Sequence, residues 1–140
     1  MTACNVRTMH PDEVGFAIEL AAREGWNPGL HDAEAFALAD SDGFLVAEVE
    51  GTPVGCISAV SYQGHFGFIG LYIVVPAWRG KGVGMQLWNA GMKRLDHHLV
   101  GLDGVPAQQE NNRKSGFSLA WRNVRYAGTM RSAKPSPSVR

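Results

Sequence analysis

Between Phe66 and Leu95 the chain runs through an apolar stretch, a proline, a glycine-rich turn and a helical pattern, and few folds accept that succession. Phe68, Ile69, Leu71, Tyr72, Ile73, Val74 and Val75 read as a strand covered on both faces and central in its sheet. Pro76 ends it. From Gly84 to Leu95 apolar residues recur at helical spacing, so a helix is predicted to begin at the glycine turn. The turn itself is Arg79-Gly80-Lys81-Gly82-Val83-Gly84. A loop feeding a helix N-terminus presents free backbone N–H groups and the positive end of the helix dipole, and together these bind anions. Glycines at 80, 82 and 84 let a phosphate approach the main chain, and Arg79 and Lys81 add charge.

Two familiar phosphate motifs fail on these residues. A nucleotide P-loop needs Ser or Thr after its Gly-Lys, but Lys81 is followed by Gly82 and Val83. A dinucleotide G-x-G-x-x-G needs its third glycine where Met85 or Leu87 stands.

The rest of the chain supplies strands and helices in alternation. A short strand around Val6–Met9 leads to Pro11-Asp12-Glu13, which announces a helix carrying Val14, Ala17, Ile18, Ala21 and Ala22 and stopped by Gly25. Asp32 is placed to cap a second helix through Ala39. Phe44–Glu50 and Val54–Tyr62 form a predicted antiparallel hairpin turning at Gly51-Thr52-Pro53. His97–Asp103 reads as a strand, Gln108–Ser115 as a fourth helix stopped by Gly116, and Phe117–Tyr126 as a last strand. This succession predicts an α+β fold.

A chain of 140 residues holds one core, so residues 1–131 are expected to form a single domain, with the polar, proline-bearing 132–140 a disordered tail. Thirteen basic residues balance thirteen acidic ones, which argues against nucleic acid or an anionic membrane as partner, and Arg122, Arg125 and Arg131 lack the interleaved aromatics of such a surface. Cys4 and Cys56 make neither a disulfide framework nor a metal set, and His97-His98 has no further ligand cluster near it in sequence, so no metal is expected. With no apolar run of bilayer length, a cytoplasmic location is expected.

The glycine turn also carries a likeness to a known family. Arg79-Gly80-Lys81-Gly82-Val83-Gly84 fits the Q/R-x-x-G-x-G/A loop of the GCN5-related N-acetyltransferases, with Arg79, Gly82 and Gly84 as its fixed points. Leu71–Pro76 resembles the family's preceding strand, and Lys114-Ser115-Gly116-Phe117 its late helix-to-strand junction. The resemblance implies a central, mostly antiparallel mixed sheet flanked by about four helices, with acetyl-CoA as cosubstrate. It further implies that the main chain of Ile73, Val74 and Val75 aligns the pantetheine arm like an added strand. The N–H groups of Lys81, Gly82, Val83, Gly84 and Met85, beside Arg79 and Gly80, would hold the pyrophosphate. The acceptor would be a primary amine of a small molecule or peptide, attacking the thioester directly, and homodimers are common among such proteins.

Two positions depart from the family's pattern. The tyrosine that often protonates the departing thiolate corresponds to Asn112, and an asparagine frequent after the fifth strand would fall near Val105. Tyr72, with a hydroxyl on the strand before the loop, and Asp103, at the end of the next strand, are the candidate catalytic residues. Glu110 reads as a solvated helix charge and Cys56 as a small core residue. The loop Glu24–Gly29 resembles the family's acceptor wall, with Trp26 and Asn27 as candidate substrate contacts. The missing acid leaves a second reading open, a catalytically impaired acyl-CoA-binding or structural module.

Overall fold

A computed structural model describes residues 4–103 and 109–119. Val105, the three late arginines, most of the predicted last strand and the predicted tail lie outside the described residues, and 117–119 belong to no strand. The chain divides into two compact units, Met1–Val105 and Pro106–Arg140.

The first unit is a five-stranded sheet among the described residues, ordered β1-β2-β3-β4-β5. Its strands are β1 (Cys4–Thr8), β2 (Phe44–Val49), β3 (Thr52–Tyr62), β4 (Phe66–Val74) and β5 (Leu99–Leu102). The first three pairings are antiparallel and β4–β5 is parallel, so the sheet is mixed and mostly antiparallel as expected. Helices α1 (Val14–Arg23) and α2 (Asp32–Ala39) separate β1 from β2, and α3 (Val83–Arg94) is the crossover from β4 to β5.

Strand alternation sends two sets of side chains to opposite faces. On one, Met9, Phe44, Val46, Cys56, Val60 and Ile73 are buried with Val14, Ala17, Leu20 and Ala21 of α1. On the other, Leu45, Ala47, Val54, Ile57, Ala59 and Ile69 are buried with Val83, Leu87 and Leu95 of and beside α3. The sheet is thus the middle of three layers.

Several boundaries differ from the sequence reading. The β2–β3 hairpin turns at Glu50-Gly51, both at positive φ (51° and 80°), which is the two-residue geometry whose twist matches the strands. Thr52 and Pro53 therefore belong to β3, where Pro53 faces Glu48 beside a bulge that tolerates its missing N–H. The strand covered on both faces is β3, buried without a break from Val54 to Val60. β4 alternates instead and leaves Phe66 and Tyr72 exposed. Asp32 is the first residue of α2 and reaches back to accept the Gly29 N–H at 2.7 Å, while His31 holds the cap position.

α1 ends as Gly25 predicts. Gly25 N–H donates to Ala22 O and Trp26 N–H to Ala21 O, each at 3.0 Å, the paired bonds of a Schellman stop. In the second unit α4 (Gln109–Lys114) ends the same way, with Gly116 N–H on Arg113 O and Phe117 N–H on Asn112 O.

Candidate functional site

The site begins where β4 parts from β5. Their pairing runs from Phe66↔Leu99 to Ile69↔Leu102, after which β5 ends and β4 continues to Val74. At that point β4 also breaks its register with β3. Cys56 pairs with Ile73 and Ser58 with Gly70, so Leu71 and Tyr72 together oppose the single Ile57. This is a β-bulge, and Leu71 takes a left-handed φ of 45°, a conformation an L-residue adopts only when its surroundings hold it there.

Beyond the bulge, Val75 N–H donates to Val54 O at 2.9 Å, and Pro76–Trp78 form one 3-10 turn. Gly80 and Gly82 follow at φ 75° and 84°, with Gly82 the residue that enters α3. The helix thus begins at Val83, one residue before the predicted start, because the left-handed Gly82 turns the chain into it. Gln86 N–H on Gly82 O is an early rung of the helix, which leaves the N–H groups of Val83, Gly84 and Met85 among those a helix cannot satisfy internally. No acidic side chain lies in that first turn to take them. A Cβ built on Gly80 or Gly82 would meet nothing within 4 Å, so open space lies over the loop. Free donors, the helix dipole and open space fit a pyrophosphate.

Lys81 holds its ammonium 5.0 Å from the Trp78 ring centre, a cation–π distance, beside the loop. Arg79 is committed in two directions. Its Nε donates to Val74 O at 2.8 Å, and its guanidinium pairs with Glu24, the C-cap of α1. Arg79 therefore joins the end of β4 to the segment that continues into Trp26 and Asn27. Trp26 is exposed, and Asn27 has a φ of 52°, tolerable for asparagine.

Tyr72 packs its ring against Trp88 of α3 with centroids 5.7 Å apart, and its hydroxyl lies over Gly84. Partial burial raises its pKa, so it stays a neutral proton donor across the physiological range. Asp103 stands exposed directly after β5. Asn112 and Glu110 lie on α4 of the second unit. Among the described residues no three His, Cys, Asp or Glu side chains form a metal-binding group, and no helix is long and apolar enough to cross a membrane. His97 and His98 sit in the turn before β5 rather than on it; His98 Nε2 is 2.7 Å from Ser61 Oγ.

Sequence reasoning overlooked Glu24 as a partner of Arg79, and Trp88 as a partner of Tyr72. Both are pairings across the fold, and no local spacing announces them.

A family profile described as acetyltransferase (GNAT) matches residues 12–131. The holothin acyltransferase of Pseudoalteromonas sp. (strain SANK 73390) is 39% identical over 110 residues, 79% of this chain and 37% of that protein. The chain thus spans little more than a third of that relative's length. Among solved structures, Ard1 from Thermoplasma volcanium superposes with a TM-score of 0.70 at 24% identity, covering 85% of each chain. The aminoglycoside N-acetyltransferase AAC(6')-Iy, solved in complex with CoA, superposes with a TM-score of 0.66 at 17% identity, covering 93% of this chain and 97% of that one. At these identities the structures speak to the fold.

Proposed function

The chain belongs to the acetyltransferase (GNAT) family, and we propose that it is an N-acetyltransferase that moves an acetyl group from acetyl-CoA to a primary amine of a small molecule or peptide. The observation that carries this reading is the first turn of α3, whose unsatisfied N–H groups lie beneath open space between Arg79 and the helix. The loop from Arg79 to Met85 takes the pyrophosphate, and the β4 edge at Ile73–Val75 the pantetheine arm. The names of two relatives, one acting on holothin and one on aminoglycosides, favour a small-molecule amine.

In the proposed reaction the amine nitrogen attacks the thioester carbonyl carbon, a C–N bond forms, and the C–S bond breaks with its electron pair leaving on sulfur. Asp103, directly or through water, accepts the amine proton, and Tyr72 supplies the proton the thiolate takes up. Trp26 and Asn27, held beside the loop by the Glu24–Arg79 pair, form the acceptor wall. Holding amine and thioester in register supplies much of the acceleration such a direct transfer needs.

The test is calorimetric titration with acetyl-CoA followed by an amine-dependent assay for thiol release. One site per chain and amine-dependent release support the enzyme. Binding without release supports the second reading, a CoA-binding module, which Asn112 favours because an amide is far too weak an acid to protonate a thiolate. In that case an Asn112→Tyr variant that gains turnover would identify the missing acid. A folded sample that does not bind acetyl-CoA would reduce the glycine loop to a structural turn.

A further inference from the structure

Cys56 is wholly buried in β3, and the chemistry proposed above does not use it. Its environment is nonetheless specific. The Sγ–H reaches across from β3 to β4 and donates to Leu71 O at 3.1 Å. That carbonyl belongs to the bulge, where Leu71 and Tyr72 oppose Ile57, next to the regular pair Cys56↔Ile73. The thiol therefore spans a place where the β3–β4 ladder has failed. A bulge strands backbone donors and acceptors that must be satisfied when buried, and a left-handed leucine persists only where neighbours over-determine it.

We infer that Cys56 is a positioning residue, whose thiol bridges the β4 bulge and thereby sets the direction of the strand edge that receives the pantetheine arm. The inference rests on the cofactor reading above. The thiol satisfies Leu71 O inside the bulge, which keeps Tyr72 turned toward Trp88 and Gly84 while Ile73 returns to the ladder and the core. Cysteine suits the task because it is small and apolar enough for this core, yet carries a weak donor. Burial pushes its pKa up to about 12, which keeps it a protonated donor and an inert nucleophile.

The experiment compares Cys56→Ala and Cys56→Ser with the native chain by residue-resolved amide exchange and by steady-state kinetics. In Cys56→Ala the Ile73 amide should exchange about tenfold faster or more while amides of the β2–β3 hairpin stay within about threefold, since opening is local. The same variant should lose about tenfold or more in kcat while CoA affinity, governed by the separate glycine loop, changes less than about threefold. Cys56→Ser retains a donor and an acceptor and should recover most of both losses. A folded alanine variant with native Ile73 exchange overturns the inference, and so does one with native kcat. If the alanine variant does not fold, the serine variant decides: a folded Cys56→Ser protein in which Ile73 exchanges about tenfold faster, against an unchanged hairpin, also overturns it. Should the native chain fail to bind acetyl-CoA, the cofactor reading falls, while the amide exchange still reports on the bridge.

Discussion

The hydroxyl of Tyr72 lies 2.8 Å from the point where a Cβ on Gly84 would stand. The family's loop accepts glycine or alanine at this position, so this chain's glycine answers to its own tyrosine. Gly84→Ala should gain helix propensity, up to about 1 kcal/mol, and lose it again by displacing the hydroxyl, leaving thermal stability at or below native. Adding Tyr72→Phe removes the obstructing oxygen, and the ring carbon behind it stands at an ordinary 3.6 Å. The double variant should therefore be more stable than Gly84→Ala alone, by about 1 kcal/mol in denaturant titration. Acetyl-CoA should still bind it. An additive result would mean the two residues do not meet.

Tyr72→Phe alone separates the tyrosine's two possible duties. As the proton donor to the thiolate, its loss should lower kcat by about a hundredfold with little change in the KM for acetyl-CoA. If the hydroxyl instead serves the glycine loop above which it lies, KM should rise and kcat hold. Steady-state kinetics at saturating amine distinguish the outcomes.

Gly82 tests the loop independently. Its φ of 84° penalises any side chain, although a Cβ there would enter open space. Gly82→Asn should cost a few tenths of a kcal/mol and Gly82→Ala about 1 kcal/mol, because asparagine tolerates the left-handed region. Gly82→Glu adds a negative charge beneath the proposed pyrophosphate and should weaken acetyl-CoA binding by more than about a hundredfold, or about 3 kcal/mol, in a protein that remains folded. Native affinity in that variant would place the cofactor elsewhere.

How far these features were legible depends on whether their cause is local. Pro76, Gly82, Gly25 and Gly116 punctuate the chain through their own backbone preferences, and the ends of β4, α1 and α4 follow from them. Pro53 misled for the same reason: proline reads as turn, yet Glu50 and Gly51 make the turn and a bulge admits the proline to the strand. The apolar run Phe66–Val75 carries no information about which faces are covered, and the bulge at Leu71–Tyr72 reverses the alternation midway, so β4 could not be separated from a fully buried strand. The site's anion-binding loop was readable from one contiguous segment. The Arg79–Glu24 pair joins residues 55 apart in sequence and the Cys56–Leu71 bridge crosses between strands, and neither has a local signature.

Glu24→Gln should test the link between the two halves of the site. Both side chains are partly exposed, so the pair contributes at most about 1 kcal/mol to folding and the melting temperature should barely move. Binding should change more visibly. Without its carboxylate partner Arg79 is free to turn toward an anion, and acetyl-CoA should bind about two- to threefold more tightly at low salt. The loop carrying Trp26 and Asn27 loses its tether, so the KM for the amine should rise by a similar factor. Unchanged values for both substrates would confine the pair to the surface.

Acid stability depends on a different ion pair. Arg7 grips Glu13 through two 2.8 Å bonds and Glu48 at 3.2 Å, tying β1 to the turn before α1 and to β2. The Arg7 guanidinium, helped by the His10 N–H, lowers the Glu13 pKa from its ordinary 4.5 to about 2. A depressed folded-state pKa means that the unfolded chain binds the proton first. The stabilisation is complete above about pH 4.5 and is lost as the pH falls toward 2. Glu13→Gln should therefore lower the urea midpoint at pH 7 and narrow the gap to the native protein steadily between pH 4.5 and 2, where the native carboxylate also becomes neutral. A gap that stays constant through that window would mean that Glu13 acts by its shape and hydrogen bonds rather than by its charge.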